Sequence, residues 1–206
     1  LRILENSHGK WQVLFQGRTR GSKCISVREM ARLISGVSGR GFAPAKDSKA
    51  LLGTESQSLI FCENSRLTAG YGVARAVRED EQVSGDNFSF QMLDNGCCVM
   101  AVSDGMGSGY AACKESEMVI DLIEKFMEAG FLPDTALRMM NSAMVTHGEH
   151  NLFSTVDLMR LDLDSGEAAF YKIGAATTFI RHGKEVRMVT QKSMPVGVFV
   201  GQQVPK

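Results

Sequence analysis

Ser103-Asp104-Gly105-Met106-Gly107-Ser108-Gly109 is the stretch on which the reading of this chain turns. It follows Cys97-Cys98-Val99-Met100-Ala101-Val102, a short apolar run with the texture of a buried strand. It precedes Tyr110 to Ala129, whose apolar residues recur at helical spacing. A strand end can hold a carboxylate rigidly, and glycines let backbone come close to whatever that carboxylate holds. Asp104 is therefore a candidate metal ligand.

Working outward, Phe88 to Leu93 and Cys97 to Ser103 are joined by Asp94-Asn95-Gly96, a hairpin signal. Antiparallel pairing through that turn brings the start of the first strand beside the end of the second. Asp86, in Val83-Ser84-Gly85-Asp86-Asn87, then meets Asp104 at one end of one hairpin. Two carboxylates held together repel unless a cation lies between them. Hard divalent cations take oxygen ligands, backbone carbonyls such as that of Gly105 included. Asp-Gly and Gly-Asp are also ordinary turn dipeptides, and that reading stands beside the metal one.

After the glycines come two helices, Tyr110 to Ala129 and one opening at Pro133-Asp134. Val119-Ile120, Leu122-Ile123 and Phe126-Met127 share a face of the first. Leu137, Met140, Ala143 and Met144 share a face of the second. Two more hairpins follow. Thr155 to Leu163 turns at Asp164-Ser165-Gly166 into Ala168 to Ile173, and Thr177 to Arg181 turns at His182-Gly183 into Val186 to Thr190. Strands, two helices and strands again predict an α+β fold, with antiparallel sheets in a sandwich flanked by helices.

Before the hairpin, Leu59 to Cys62 and Thr68 to Val77 read as strands, and Ser38 to Gln57 reads as a loop or domain boundary. Further back are a strand containing Trp11, Val13 and Phe15, and a helix capped by Ser26 and stopping near Gly36. The expected division is residues 1–57 and residues 58–206.

Lys+Arg and Asp+Glu both number 23, so no global charge favours nucleic acid or an anionic membrane. The five cysteines lack metal-ligand spacing and read as reduced thiols of a cytosolic protein. No run is long and apolar enough to span a membrane. His147 and His150 could share a helix face but lack acidic or cysteine company, and His8 and His182 read as surface or turn residues. The spacing Gly105-x-Gly107-x-Gly109 between strand and helix also fits a dinucleotide turn. A carboxylate at the turn opposes a pyrophosphate, and the next element is a helix rather than a parallel strand.

The two acidic elements together resemble the PPM-type metal-dependent serine/threonine phosphatases, and more closely their bacterial sporulation stage II protein E branch. Tyr71-Gly72-Val73-Ala74-Arg75, Ser154-Thr155-Val156-Asp157-Leu158, Lys172-Ile173-Gly174-Ala175-Ala176 and Met194-Pro195-Val196-Gly197-Val198 extend the resemblance over about residues 58–206. It implies that Asp86, Asp104 and the Gly105 carbonyl belong to a two-metal site for Mn²⁺ or Mg²⁺. The metals would activate a water that attacks phosphorus directly, with no covalent phosphoenzyme. It implies a phosphoserine anti-anti-sigma factor as protein partner and substrate, whose dephosphorylation frees a sigma factor after division. A homo-oligomer is compatible with it.

Residues 1–57 resemble the end of the regulatory region that precedes the phosphatase in this branch, with membrane spans further upstream. The family's remaining metal-binding aspartates, in a second Ser-Asp-Gly element and an Asp-Asp-Met-Thr-like strand, have no counterpart after Gly197. The fold is thus expected to be incomplete at the C-terminus, the chain cut at both ends, and this polypeptide poorly active alone. Arg75 is a candidate for the family's phosphate-clamping arginine. The alternative is a non-catalytic module that keeps the fold and binds or regulates.

Overall fold

The computed structural model describes residues 1–5, 9–45, 47–77, 79–93, 96–146 and 153–198 of the chain. The expected histidine pair at 147 and 150, His8, and Asp94-Asn95 of the first hairpin turn lie outside the described residues. Two compact units divide between Arg66 and Leu67.

The first unit contains β1 (Arg2–Glu5), β2 (Trp11–Gly17), β3 (Ile25–Ser26), α1 (Val27–Ser38), β4 (Phe42–Pro44), β5 (Leu51–Leu52) and β6 (Gln57–Glu63). One sheet has the order β1-β2-β6-β4 and is antiparallel throughout; β3 and β5 form a separate pair. Val13, Phe42, Leu59 and Phe61 bury one sheet face under Val27 and Ala31 of α1.

Three expectations change here. The boundary expected after residue 57 moves to Arg66, because β6 is hydrogen-bonded on both sides, to β2 and to β4, and Phe61 is fully buried. Ser38 to Gln57 is not wholly loop, since it contains β4 and β5. The helix runs two residues beyond Gly36, and Gly39 takes the left-handed conformation that ends it, its N–H reaching the Ser35 carbonyl. Ser26 holds the N-cap position without a side-chain cap bond. Its backbone is committed to β3, and the Ala50 carbonyl accepts the Val27 N–H instead.

The second unit contains β7 (Asp86–Met92), β8 (Cys97–Asp104), α2 (Gly109–Glu128), α3 (Pro133–Thr146), β9 (Val156–Asp162), β10 (Ala168–Ile173), β11 (Thr178–His182) and β12 (Glu185–Val189). The antiparallel sheet has the order β10-β9-β8-β7, and β11 pairs with β12. The antiparallel pairing of β8 with β9 rules out the βαβ unit that a dinucleotide turn needs.

Alternation decides which residues enter the core. Val99, Ala101, Val156, Leu158, Tyr171 and Ile173 project from one sheet face and meet Val119, Ile123, Met127, Leu137, Met140 and Met144 of the two helices. This is the main core, and the helix faces read from spacing are the buried ones. Thr68 to Val77, expected as a strand, forms no ladder. Its contacts are made by side chains: Tyr71 stacks on Phe90 at 4.3 Å between ring centroids, and the Arg75 guanidinium lies over Phe88.

Candidate metal centre

The hairpin register places Asp86 directly opposite Asp104, at the open ends of β7 and β8. Both side chains are solvent-exposed on one side. Asp86 is steadied by Ser84, whose hydroxyl donates to Oδ2 at 3.0 Å and accepts the Asp86 N–H at 3.3 Å. Asp104 is steadied through its backbone. Its N–H donates to Thr155 Oγ1 at 3.1 Å, and its carbonyl accepts the Thr155 N–H and the Ser154 hydroxyl, both at 2.9 Å. The loss of surrounding water pushes the Asp104 carboxyl above its ordinary range; the charge of Asp86 and a hydrogen bond with Asp86 push it further the same way.

Gly105 is a glycine for a steric reason. A Cβ there would stand 2.0 Å from the Ala112 carbonyl oxygen, inside helix α2. The strand end therefore sits directly against the helix backbone. A Cβ on Gly85 would meet the Ala112 methyl at 3.1 Å and the Gly105 carbonyl oxygen at 3.3 Å. Gly85 also accepts the Gly105 N–H at 3.1 Å, so the two acidic elements are joined backbone to backbone.

Helix α2 holds the same junction from the other side. Ser116, fully buried, donates to the Gly85 carbonyl at 2.5 Å and accepts from Asn87 Nδ2 at 2.8 Å. This link was not read from the sequence, where Ser116 stands beside Glu115 as one more polar residue of an amphipathic helix.

The donor set suits a hard divalent cation. Two carboxylates set directly opposite one another on the ladder, with the Gly105 carbonyl next in the chain, present oxygen ligands of the kind that Mn²⁺ or Mg²⁺ takes. The set is also short. Among the described residues, no group of three or more His, Cys, Asp or Glu side chains could hold a metal ion.

Asp86 and Asp104 border a cavity of about 830 Å³ on the sheet face opposite the helices. Phe88, Val102, Thr155 and Asp157 line it, with the 71–76 segment along one side. Arg75 is part of that lining and bonds Asn87 Oδ1 at 3.3 Å. Asp157 is the acid the sequence reading passed over. The signal was present in Val156-Asp157-Leu158, where alternation sends the aspartate to the face opposite its buried neighbours.

A family model described as stage II sporulation protein E (SpoIIE) matches residues 94–206, more than half of the chain. The stage II sporulation protein E of Bacillus subtilis (strain 168) is 35% identical over 127 residues, which is 62% of this chain and 15% of that protein. The protein of the same name from Priestia megaterium is 34% identical over 127 residues, covering 62% and 22% respectively. The chain thus spans less than a quarter of either curated relative. A solved structure of the PP2C phosphatase domain with a fragment of the regulatory domain of SpoIIE from Bacillus subtilis superposes with a TM-score of 0.68. Its identity is 25%, and the match covers 98% of this chain and 59% of that one.

Proposed function

Since the chain belongs to the stage II sporulation protein E family, we propose that it forms part of a metal-dependent protein serine/threonine phosphatase. The observation that carries the proposal is the pairing of Asp86 with Asp104 across the hairpin, beside a glycine packed against helix backbone. Asp86, Asp104 and the Gly105 carbonyl would hold the cations. Bound Mn²⁺ or Mg²⁺ supplies charge that neutralises phosphoryl oxygens and lowers the pKa of an attacking water.

The chain's own part is positional. Ser84 orients Asp86, and the Ser154 hydroxyl with the N–H and hydroxyl of Thr155 fixes the height of Asp104. Gly85 and Ser116 set the spacing between the two acidic elements. Such preorganisation lets fixed charges act on a transition state without rearranging. Arg75, on the rim of the same cavity, is our candidate for the residue that meets the phosphate.

The proposed substrate is phosphoserine on an anti-anti-sigma factor, on the cytoplasmic side of a membrane-anchored protein. Residues 1–66 are proposed as the end of a regulatory region. Likeness to the family supports the first reading, and the match over 98% of this chain to a phosphatase domain solved with a fragment of its regulatory domain supports the second. No helix among the described residues is long and apolar enough to cross a membrane.

The test is Mn²⁺-dependent hydrolysis of a phosphoserine protein by a polypeptide extended to the full phosphatase domain. Asp86→Ala and Asp104→Ala are each expected to lose about a hundredfold or more, the scale of removing a group that stabilises transition-state charge. Equal turnover by Asp104→Ala would overturn the assignment. A second reading, a non-catalytic module that binds or regulates, draws on the absence of a third ligand among the described residues. That reading expects no Mn²⁺-dependent turnover from the wild-type extended polypeptide.

A further inference from the structure

Asp157 shares a face with Asp104. It lies opposite Val102 on the β8–β9 ladder, and Val102 is two residues from Asp104. Cross-strand diagonals of this kind separate Cβ atoms by about 7 Å or less. A third carboxylate thus borders the cavity that Asp86 and Asp104 border, yet the three do not close into one ligand group.

Asp157 is instead paired with a lysine. Lys172 is the ladder partner of Asp157 on β10 and is 1% exposed. Its Nζ donates to Asp157 Oδ2 at 2.5 Å and to Thr178 Oγ1 at 2.8 Å. The Thr178 hydroxyl donates in turn to the same Oδ2. A lysine in the middle of Phe170-Tyr171-Lys172-Ile173 is a charge that folding has to desolvate, and only a close counter-charge makes that tolerable. The clasp also ties β11, which opens at Thr178, to the four-stranded sheet. A hydroxyl alone could make that tie. A charged pair beside a carboxylate site does more, because it claims an acid that a cation would otherwise attract.

We infer that Lys172 is a built-in counter-cation that withholds Asp157 from the Asp86–Asp104 site and so sets how many carboxylates that site offers a metal. The inference rests on Asp86 and Asp104 being cation ligands, and it adds a determinant of metal affinity outside the ligands themselves.

Mn²⁺ titration of the 206-residue chain by electron paramagnetic resonance, without substrate, tests it. Asp157→Asn is expected to bind Mn²⁺ within about twofold of wild type, because that carboxylate is already neutralised. Lys172→Met is expected to bind about tenfold tighter, the scale on which groups behind a metal site tune affinity. The double variant Lys172→Met/Asp157→Asn is expected to return to the wild-type value. A tenfold loss in Asp157→Asn makes Asp157 a ligand and overturns the inference. So does a folded Lys172→Met with unchanged or weaker affinity, which is what a merely structural clasp gives. Where either single variant does not fold, because it leaves a buried charge unpaired, the double variant decides: wild-type affinity supports the inference and a tenfold loss, which makes Asp157 a ligand, overturns it. Asp104→Ala in the same titration separates the two levels: unaltered Mn²⁺ binding there removes the cation site itself, whereas its loss leaves Asp157 and Lys172 to be judged on their own variants.

Discussion

One face of the β10-β9-β8-β7 sheet lies under α2 and α3, and every residue it sends toward them from the middle strands is apolar or hydrogen-bonded. The opposite face carries Phe88 at 40% exposure and Val102 at 52%, and it ends in Asp86 and Asp104. The same strands build both. The helix-covered face supplies stability, since apolar area removed from water contributes roughly 25 cal/mol per Å². The open face supplies chemistry, and carboxylates brought together there oppose folding slightly. The junction between them is the short stretch where Gly85, Gly105 and Ser116 meet.

The largest expected effect comes from the covered face. Leu158→Ala, at a fully buried position, should cost about 2–5 kcal/mol in urea unfolding, the range for buried leucines. A cost under 1 kcal/mol would mean the helices do not seat on the sheet as described. At the junction, Gly105→Ala should cost about 1–3 kcal/mol, because the added methyl meets backbone rather than a flexible side chain. It should also weaken Mn²⁺ binding, which a clash confined to the core would not do.

Ser116→Ala should cost about 1 kcal/mol, the usual net contribution of a hydrogen bond. Its amide-exchange signature is specific: protection should fall first at Gly105, whose N–H shares the Gly85 carbonyl with Ser116. Protection lost uniformly across α2 would point to helix fraying instead.

Two acids titrate in opposite senses and sharpen the comparison further. In metal-free chain, Asp104 holds its proton more tightly folded than unfolded, where the ordinary value is 3.8. Its contribution is full below that value and is lost as pH rises through the raised one. Asp162, at the end of β9, is held below its ordinary value mainly by the N–H groups of Ser165 and Asp164. Its contribution is present above 3.8 and is lost as pH falls through the lowered value. Urea melts across the acid range should therefore show Asp104→Asn gaining stability toward neutral pH and Asp162→Asn losing it there. The same sign for both would break the account. On the open face, Val102→Ala should change stability by under about 1 kcal/mol.

Most of the second unit was legible because its signals are local. Alternation, Gly-rich turns and helical spacing placed β7 to β12, α2 and α3, and the register that faces Asp86 with Asp104 follows from one hairpin. The first unit was less legible. β6 reads as an independent strand, and nothing local says that its partners are β2 and β4, many residues earlier. Thr68 to Val77 misled because alternation there serves aromatic and guanidinium contacts with Phe90 and Phe88. Within the site, the acids were readable and their supports were not. Ser116 and Lys172 act through atoms brought close by packing, and only an oddity of composition marks them, such as a lysine inside an apolar strand.

Cys97 and Cys98 begin β8, the strand hydrogen-bonded on both sides, and both are fully buried, with burial raising their thiol pKa values. Cys24 is exposed. A thiol-reactive dye should therefore mark Cys24 at once and reach the adjacent pair only when the sheet opens. The chain carries its own clock for that opening: with the half-buried Cys62 and Cys113 counted apart, the delay between labelling of Cys24 and of Cys97 and Cys98 times how long the centre of the sheet stays shut.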